Sequence, residues 1–369
     1  MKKIVLVTLM SLPLGLILLT CKSDSDPEIV ASLDSLFNHS YSALKTFSDD
    51  NGTIPRVNNQ PVLFWEDLSG DQDLLYIGDR NPTRYGQPPS FFDTDGGYVF
   101  IPNVQFQQWS TKLPSVTAQP IEIYLVIRDL NAPQNEGYLG SFRAPSFRDK
   151  ADHLRMSIQA DDGDFQPGTP VLTHNKITIM KLRYDGANSM AWMNGERIPG
   201  TVNVGNKGVE NLVIGTANNN AHCDIFFMGV KFGSLTSAED NFIYEELSKL
   251  YPPNTYPNKP LADDIKATWN NTDKSWSADY TYVSTEGIAE DTNATEYMWL
   301  TGGNGPIYDL QNQIIIAGAN SKVLKRSDYP SVFSGTPSGV WFKAIVKVHD
   351  ANGNSWRFLD SDWAVDNIP

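Results

Sequence analysis

Three groups of aspartates offer the oxygen ligands that a hard cation prefers, and calcium is the ion they suit. Asp161, Asp162 and Asp164 cluster around Gly163 in what reads as one loop, Asp93 and Asp95 form a pair, and Asp67, Asp71 and Asp73 make a third set. Aspartate also favours turns for its own backbone hydrogen bonding, and a chain with 43 acidic against 29 basic residues has many acidic turns. Aromatic rings beside polar side chains are the second kind of candidate. Trp109 follows Gln105, Gln107 and Gln108, Tyr85 sits in a polar loop, and Trp276 and Trp356 lie in polar surroundings. A ring face flanked by hydrogen-bonding groups is a surface on which the apolar face of a sugar can stack; most tryptophans in β-sandwiches, by contrast, are core.

Other chemistries lack their residues. His39, His153, His174, His222 and His349 are scattered, and His222-Cys223 alone points to opposite faces of a strand, so no zinc site is expected. There is no Gly-x-Ser-x-Gly elbow and no phosphate-binding loop. A formal charge of −14 argues against nucleic acid, whose phosphates need clustered Lys and Arg. No catalytic residue is assigned, and the chain is expected not to be an enzyme.

The elements that must position these residues begin with an address. Lys2 and Lys3 precede an uncharged apolar run over residues 4–19, short of the roughly 20 residues needed to cross a bilayer core, so a cleaved signal over 1–20 is expected. Leu18-Leu19-Thr20-Cys21 resembles a bacterial lipoprotein lipobox, with Thr20 departing from the usual small residues, and implies lipidation at Cys21. The following Ser23-Asp24-Ser25-Asp26 resembles the export signals of Bacteroidota surface lipoproteins. Those resemblances imply a lipid-anchored outer-membrane protein exposed at the cell surface. With Cys21 lipidated, Cys223 reads as a small buried hydrophobe.

Residues 21–53 form a tether and, from 27 to 49, an apolar periodicity (Leu33, Leu36, Phe37, Tyr41, Leu44) that predicts a short amphipathic N-terminal helix. Residues 54–256 change to short apolar runs separated by turn residues, which predicts an all-β jelly-roll sandwich. Asn194-Gly195 marks a tight hairpin, because both residues tolerate positive φ. Thr236-Ser237-Ala238-Glu239 reads as the capped start of a helix that Pro252-Pro253 stops. Prolines 252, 253, 257 and 260 make a stiff linker. Residues 257–369 are again β-patterned and hold six of the nine tryptophans, which separates them in composition from the region before.

Five motifs in order resemble bacterial laminin G-like, concanavalin A-like lectin/glucanase domains. They are Trp65-Glu66-Asp67-Leu68-Ser69-Gly70, Asp95-Gly96-Gly97-Tyr98-Val99, Tyr184-Asp185-Gly186 with Trp192-Met193-Asn194-Gly195, Asn211-Leu212-Val213-Ile214-Gly215, and Phe227-Met228-Gly229-Val230. The C-terminal region resembles an immunoglobulin-like module of the polycystic-kidney type, with Trp299 at its buried centre and Asp350-Ala351-Asn352-Gly353 before its last hairpin. The first resemblance implies calcium at the sandwich rim. It also implies testing for the Glu-x-Asp-x-x-Glu strand of laminarinase-like glycosidases and the Gln-x-His strand of alginate-lyase-like folds, and neither is present.

The expected function is therefore non-catalytic binding of an extracellular polysaccharide or oligosaccharide at the cell surface, with an outer-membrane transporter as a possible partner. A structural or adhesive protein that binds another protein is the contrasting reading, and a carbohydrate-active enzyme with an unfamiliar site is the third.

Overall fold

A computed structural model describes residues 33–77, 89–101, 107–130, 136–140, 143–150, 153–158, 161–164, 172–200, 202–216, 222–284, 286–303, 314–333, 340–361 and 364–366. Cys21, the lipobox and Tyr85 lie outside them. No helix among the described residues is long and apolar enough to cross a membrane.

The expected all-β sandwich architecture is what forms. A nine-stranded front sheet runs in the order Glu196–Arg197, Met190–Met193, Ile177–Tyr184, Ile121–Asp129, Cys223–Phe232, Tyr98–Ile101, Ser90–Phe92 and Gln60–Pro61, with His39–Ser42 also pairing on Cys223–Phe232. A nine-stranded back sheet runs from Asp161–Asp164 through Pro145–Lys150 and Val209–Thr216 to Gln107–Thr117, Phe64–Trp65 and Thr46–Phe47. The layers meet over one apolar core, because strand alternation turns Ile123, Leu125 and Ile127 of the front sheet towards Trp109, Phe147, Leu212 and Ile214 of the back.

The helix expected through residue 49 is corrected. Leu33 and Asp34 are helical, and after a turn the chain extends into His39–Ser42, the 3-10 turn Ala43–Lys45 and Thr46–Phe47. The cause lies far off in sequence. Tyr98–Ile101 pairs with residues 223–225 of the strand Cys223–Phe232, and a register shift follows between Ile225 and Phe227. That leaves residues 227–230 an open edge, which His39–Ser42 fills. Tyr41 and Ala43, two apart, then enter the core.

The Trp65–Gly70 motif closes this corner. Trp65 is fully buried and donates from Nε1 to the Ser42 carbonyl at 2.7 Å. Asp67 accepts from the backbone N–H groups of Ser40, Ser69, Gly70 and Gln72 at 3.0–3.1 Å and pairs with His39 Nδ1 at 2.6 Å. A side chain at Gly70 would come within 2.9 Å of the Asn38 carbonyl oxygen, so only glycine fits.

The second sandwich has sheets Leu261–Asn270, Ser275–Val283, Val323–Lys325 and Ile314–Ile315, Glu296–Gly303, Val340–Lys347, Leu359–Asp360, with Ala364–Asp366 also on Val340–Lys347. Trp299 is buried at its centre and donates to the Ser321 carbonyl at 3.0 Å. The proline-rich joint lies against the first sandwich, where Asn254 N–H donates to Ile177 O, Ile177 N–H to Thr255 O, and Asn258 N–H to Asp95 Oδ1.

Candidate functional site

Alternation along Ile121–Asp129 sends Glu122, Tyr124, Val126 and Arg128 to the outward face of the front sheet. Register aligns them with residues of four other strands. One cross-strand row reads Gly229, Tyr124, Lys181, Trp192 and Arg197, and the next reads Lys231, Glu122, Arg183 and Met190. Trp192 and Arg197 are brought together by the Asn194-Gly195 hairpin, but Gly229, Tyr124 and Lys181 come from strands far apart in the chain, so no local motif announces the whole row.

The helix Ser237–Leu250 lies across this face. Thr236 and Glu239 form the expected capping box, and Ile243 and Leu247 pack into the apolar cluster that also holds Tyr124 and Ile179. Its first turn delivers Asp240 to the row. Lys181 Nζ lies 2.6 Å from Asp240 Oδ1 and 3.3 Å from Glu122 Oε2. The same ammonium sits 4.5 Å from the centre of the Trp192 ring, a cation–π distance. The Tyr124 hydroxyl donates to the Asp240 carboxylate. Burial, followed by that hydrogen bond, pushes Tyr124 far above its ordinary value and keeps it a proton donor. Tyr244 donates to Asn194 O at 2.7 Å, and its ring lies where a side chain at Gly195 would stand. Asn194 and Gly195 have φ of 52° and 83°, so the expected hairpin turn also shapes the wall of the site.

These groups line a cleft of about 200 Å³. It offers the half-buried Trp192, the exposed amide of Asn241, and Asp240 with one oxygen committed to Lys181 and Tyr124. That is a flat apolar surface edged by groups able to accept from and donate to hydroxyls. Trp192 and Asp240 were missed as site residues in the sequence. Trp192 stood there only as part of a hairpin motif, and Asp240 only as a position inside the helix that follows Thr236.

The residues singled out in the sequence go elsewhere. Trp109 is corrected as a sugar platform: it is fully buried between Trp65 and Tyr76, with Nε1 donating to Val62 O at 3.0 Å. Trp276 is corrected likewise, 7% exposed and packed on Trp269 and Phe342. Neither ring has a free face. Trp356 is half-buried between the sandwiches, its ring centre 4.8 Å from the Arg128 guanidinium and 4.1 Å from that of Arg357.

Asp161, Asp162 and Asp164 form an edge strand paired with His153–Ile158 instead of a loop, and their side chains lie outside the description. Asp95 bonds Arg128 Nη1 at 3.0 Å through one oxygen and Asn258 N–H through the other. Asp67 is filled by hydrogen bonds, and Asp73 accepts from Asp67 N–H. Among the described residues no three His, Cys, Asp or Glu side chains are grouped to hold a metal. Cys223 is buried in the core.

No protein-family model matches the chain, and no curated protein matches it significantly. Solved structures do resemble it. A Trypanosoma rangeli sialidase in complex with the inhibitor DANA matches at 10% identity and a TM-score of 0.38, over 59% of this chain and 37% of the sialidase. An arabinofuranosidase complexed with arabinofuranosyl-alpha-1,2-xylobiose matches at 10% and 0.41, over 70% of this chain and 74% of the enzyme. The receptor binding domain of botulinum neurotoxin type G matches at 11% and 0.41, over 88% and 74%. The chain thus spans little more than a third of the sialidase, and at these values the likeness transfers no residue role. It does correct one expectation. Carbohydrate-processing enzymes stand among the structures this chain resembles, so the lack of one glycosidase signature does not make it a non-enzyme.

Proposed function

We propose that this protein binds an extracellular polysaccharide or oligosaccharide, and that the cleft between the front sheet and the helix Ser237–Leu250 is where a sugar unit sits. The observation that carries this reading is Trp192, a half-buried ring in a cleft whose other walls are Asp240, Asn241 and Tyr244. An apolar sugar face stacks on the ring while hydroxyls bond the carboxylate and amide. The lipobox at Cys21 supports a lipid-anchored place at the outer membrane, facing outward, where a laminin G-like sandwich and an immunoglobulin-like module would present the cleft to glycans and pass them to a transporter.

Titration calorimetry against a panel of polysaccharides tests the reading. Saturable binding is expected for at least one, weakened at least tenfold in Trp192→Ala, a loss of about 1.4 kcal/mol. Silence across the panel, or binding indifferent to Trp192→Ala, overturns it. The same panel scored for new reducing ends reports whether the bound glycan is also cut. Cys21→Ala is expected to abolish incorporation of labelled palmitate and release the protein from membranes.

A further inference from the structure

Past Tyr124 the outward face of the front sheet is covered by the second sandwich, and that contact is organised around one cation. The Arg357 guanidinium lies 4.4 Å from the ring centre of Phe100, 5.2 Å from Tyr98 and 5.3 Å from Phe92, and Trp356 closes over it at 4.1 Å. Its Nη2 is 2.8 and 2.9 Å from the two oxygens of Asp224, whose side chain is wholly buried. Among the described residues its Nε and Nη1 meet no acceptor, and the ring faces are what surrounds them. Phe92, Tyr98, Phe100 and Asp224 all belong to the first sandwich; aromatic faces around one buried carboxylate are the chemistry that recognises a guanidinium or alkylammonium ion.

The charges make the same point. Arg128, with no exposed side-chain surface, donates from Nε to Asp224 at 2.8 Å and from Nη1 to Asp95 at 3.0 Å. Two buried carboxylates therefore share one resident cation, and Arg357 supplies the second. Without it the site holds an uncompensated buried negative charge, which a low-dielectric interior tolerates badly.

We propose that the first sandwich carries a cage for a guanidinium or alkylammonium ion, which Arg357 occupies in cis, and that this occupancy locks the two sandwiches into one unit. The proposal does not depend on the sugar cleft. Thermal unfolding of full-length Arg357→Ala and Arg357→Met, with and without millimolar methylguanidinium, tests it. Both variants are expected to melt several degrees below the wild type. Methylguanidinium should restore much of the loss in Arg357→Ala, leave the wild type unmoved because its cage is filled, and outperform methylurea, a neutral molecule of the same shape. Should Arg357→Ala not fold, Arg357→Lys serves, with a melting temperature between Met and wild type expected. A wild-type-like Arg357→Met shows apolar packing to suffice and overturns the proposal. So does a methylguanidinium effect equal in variant and wild type, no effect at all, or Arg357→Lys no better than Met.

Discussion

Two carboxyl groups at the N-terminal corner are shifted in opposite directions, although burial acts on both in the same sense. Burial raises Asp34 from 3.8 to about 6, against a hydrogen bond from Ser40 Oγ at 2.7 Å. Burial also works to raise Asp67, but its bonds from His39, Ser40 and Gln72 outweigh that and hold it below 3.8. The native state therefore binds the Asp34 proton more tightly than the unfolded chain does. Its contribution to stability is complete below about 4 and is lost as pH rises through 6. Asp67 contributes above about 4 and loses that contribution on acidification. Asp34→Asn keeps an acceptor for Ser40 and removes the titration. Its melting temperature should gain on the wild type as pH is raised from 4 to 6; parallel curves would refute the assignment. In the cleft, Asp240→Asn should weaken glycan binding and loosen Lys181, which calorimetry and the melting curve read separately.

At the scale of elements, legibility followed locality. The helix Ser237–Leu250 was readable because its cap, its apolar spacing and its proline stop lie within one stretch, and Thr236→Ala is expected to cost about 1 kcal/mol in denaturant unfolding. The segment around Tyr41 misled because residues four apart share a helix face and, an even number apart, also share a strand face. What decided between them was the edge left open at residues 227–230. Gly229 in that edge lies under the Phe37 ring, where an added Cβ would approach within 2.6 Å. Gly229→Val should therefore destabilise by about 1–3 kcal/mol, and much of that loss should disappear in the Phe37→Ala background. Additive effects would show that the ring is not the obstacle.

For the whole molecule, the joint between the sandwiches behaves differently from the spacer its prolines suggest. Hydrogen bonds donated by Asn254 and Asn258 and accepted by the Thr255 carbonyl tie it to the first sandwich, and the apolar cluster runs on from Tyr98 and Phe226 to Tyr251, Leu261 and Trp276. Protease cleavage within residues 252–260 is expected to be slow in the wild type and faster in Arg357→Ala. Equal rates would place the restraint in the joint itself.

The sequence by itself determined the β character of both regions, the Asn194-Gly195 hairpin, the capped helix and the core position of Trp299, since each follows from period, turn chemistry or capping within a few residues. It could not separate a tryptophan that stacks on a ligand from one that fills a core, because Trp109 and Trp192 differ only in which face of which sheet they meet. Tertiary structure alone decided that Tyr124 and Lys181 stand beside the Trp192 hairpin, that Asp240 arrives from the helix, and that a cage forms around Arg357. The reason is physical: cross-strand register brings together residues dozens of positions apart, and no period along the chain encodes which strands will be neighbours.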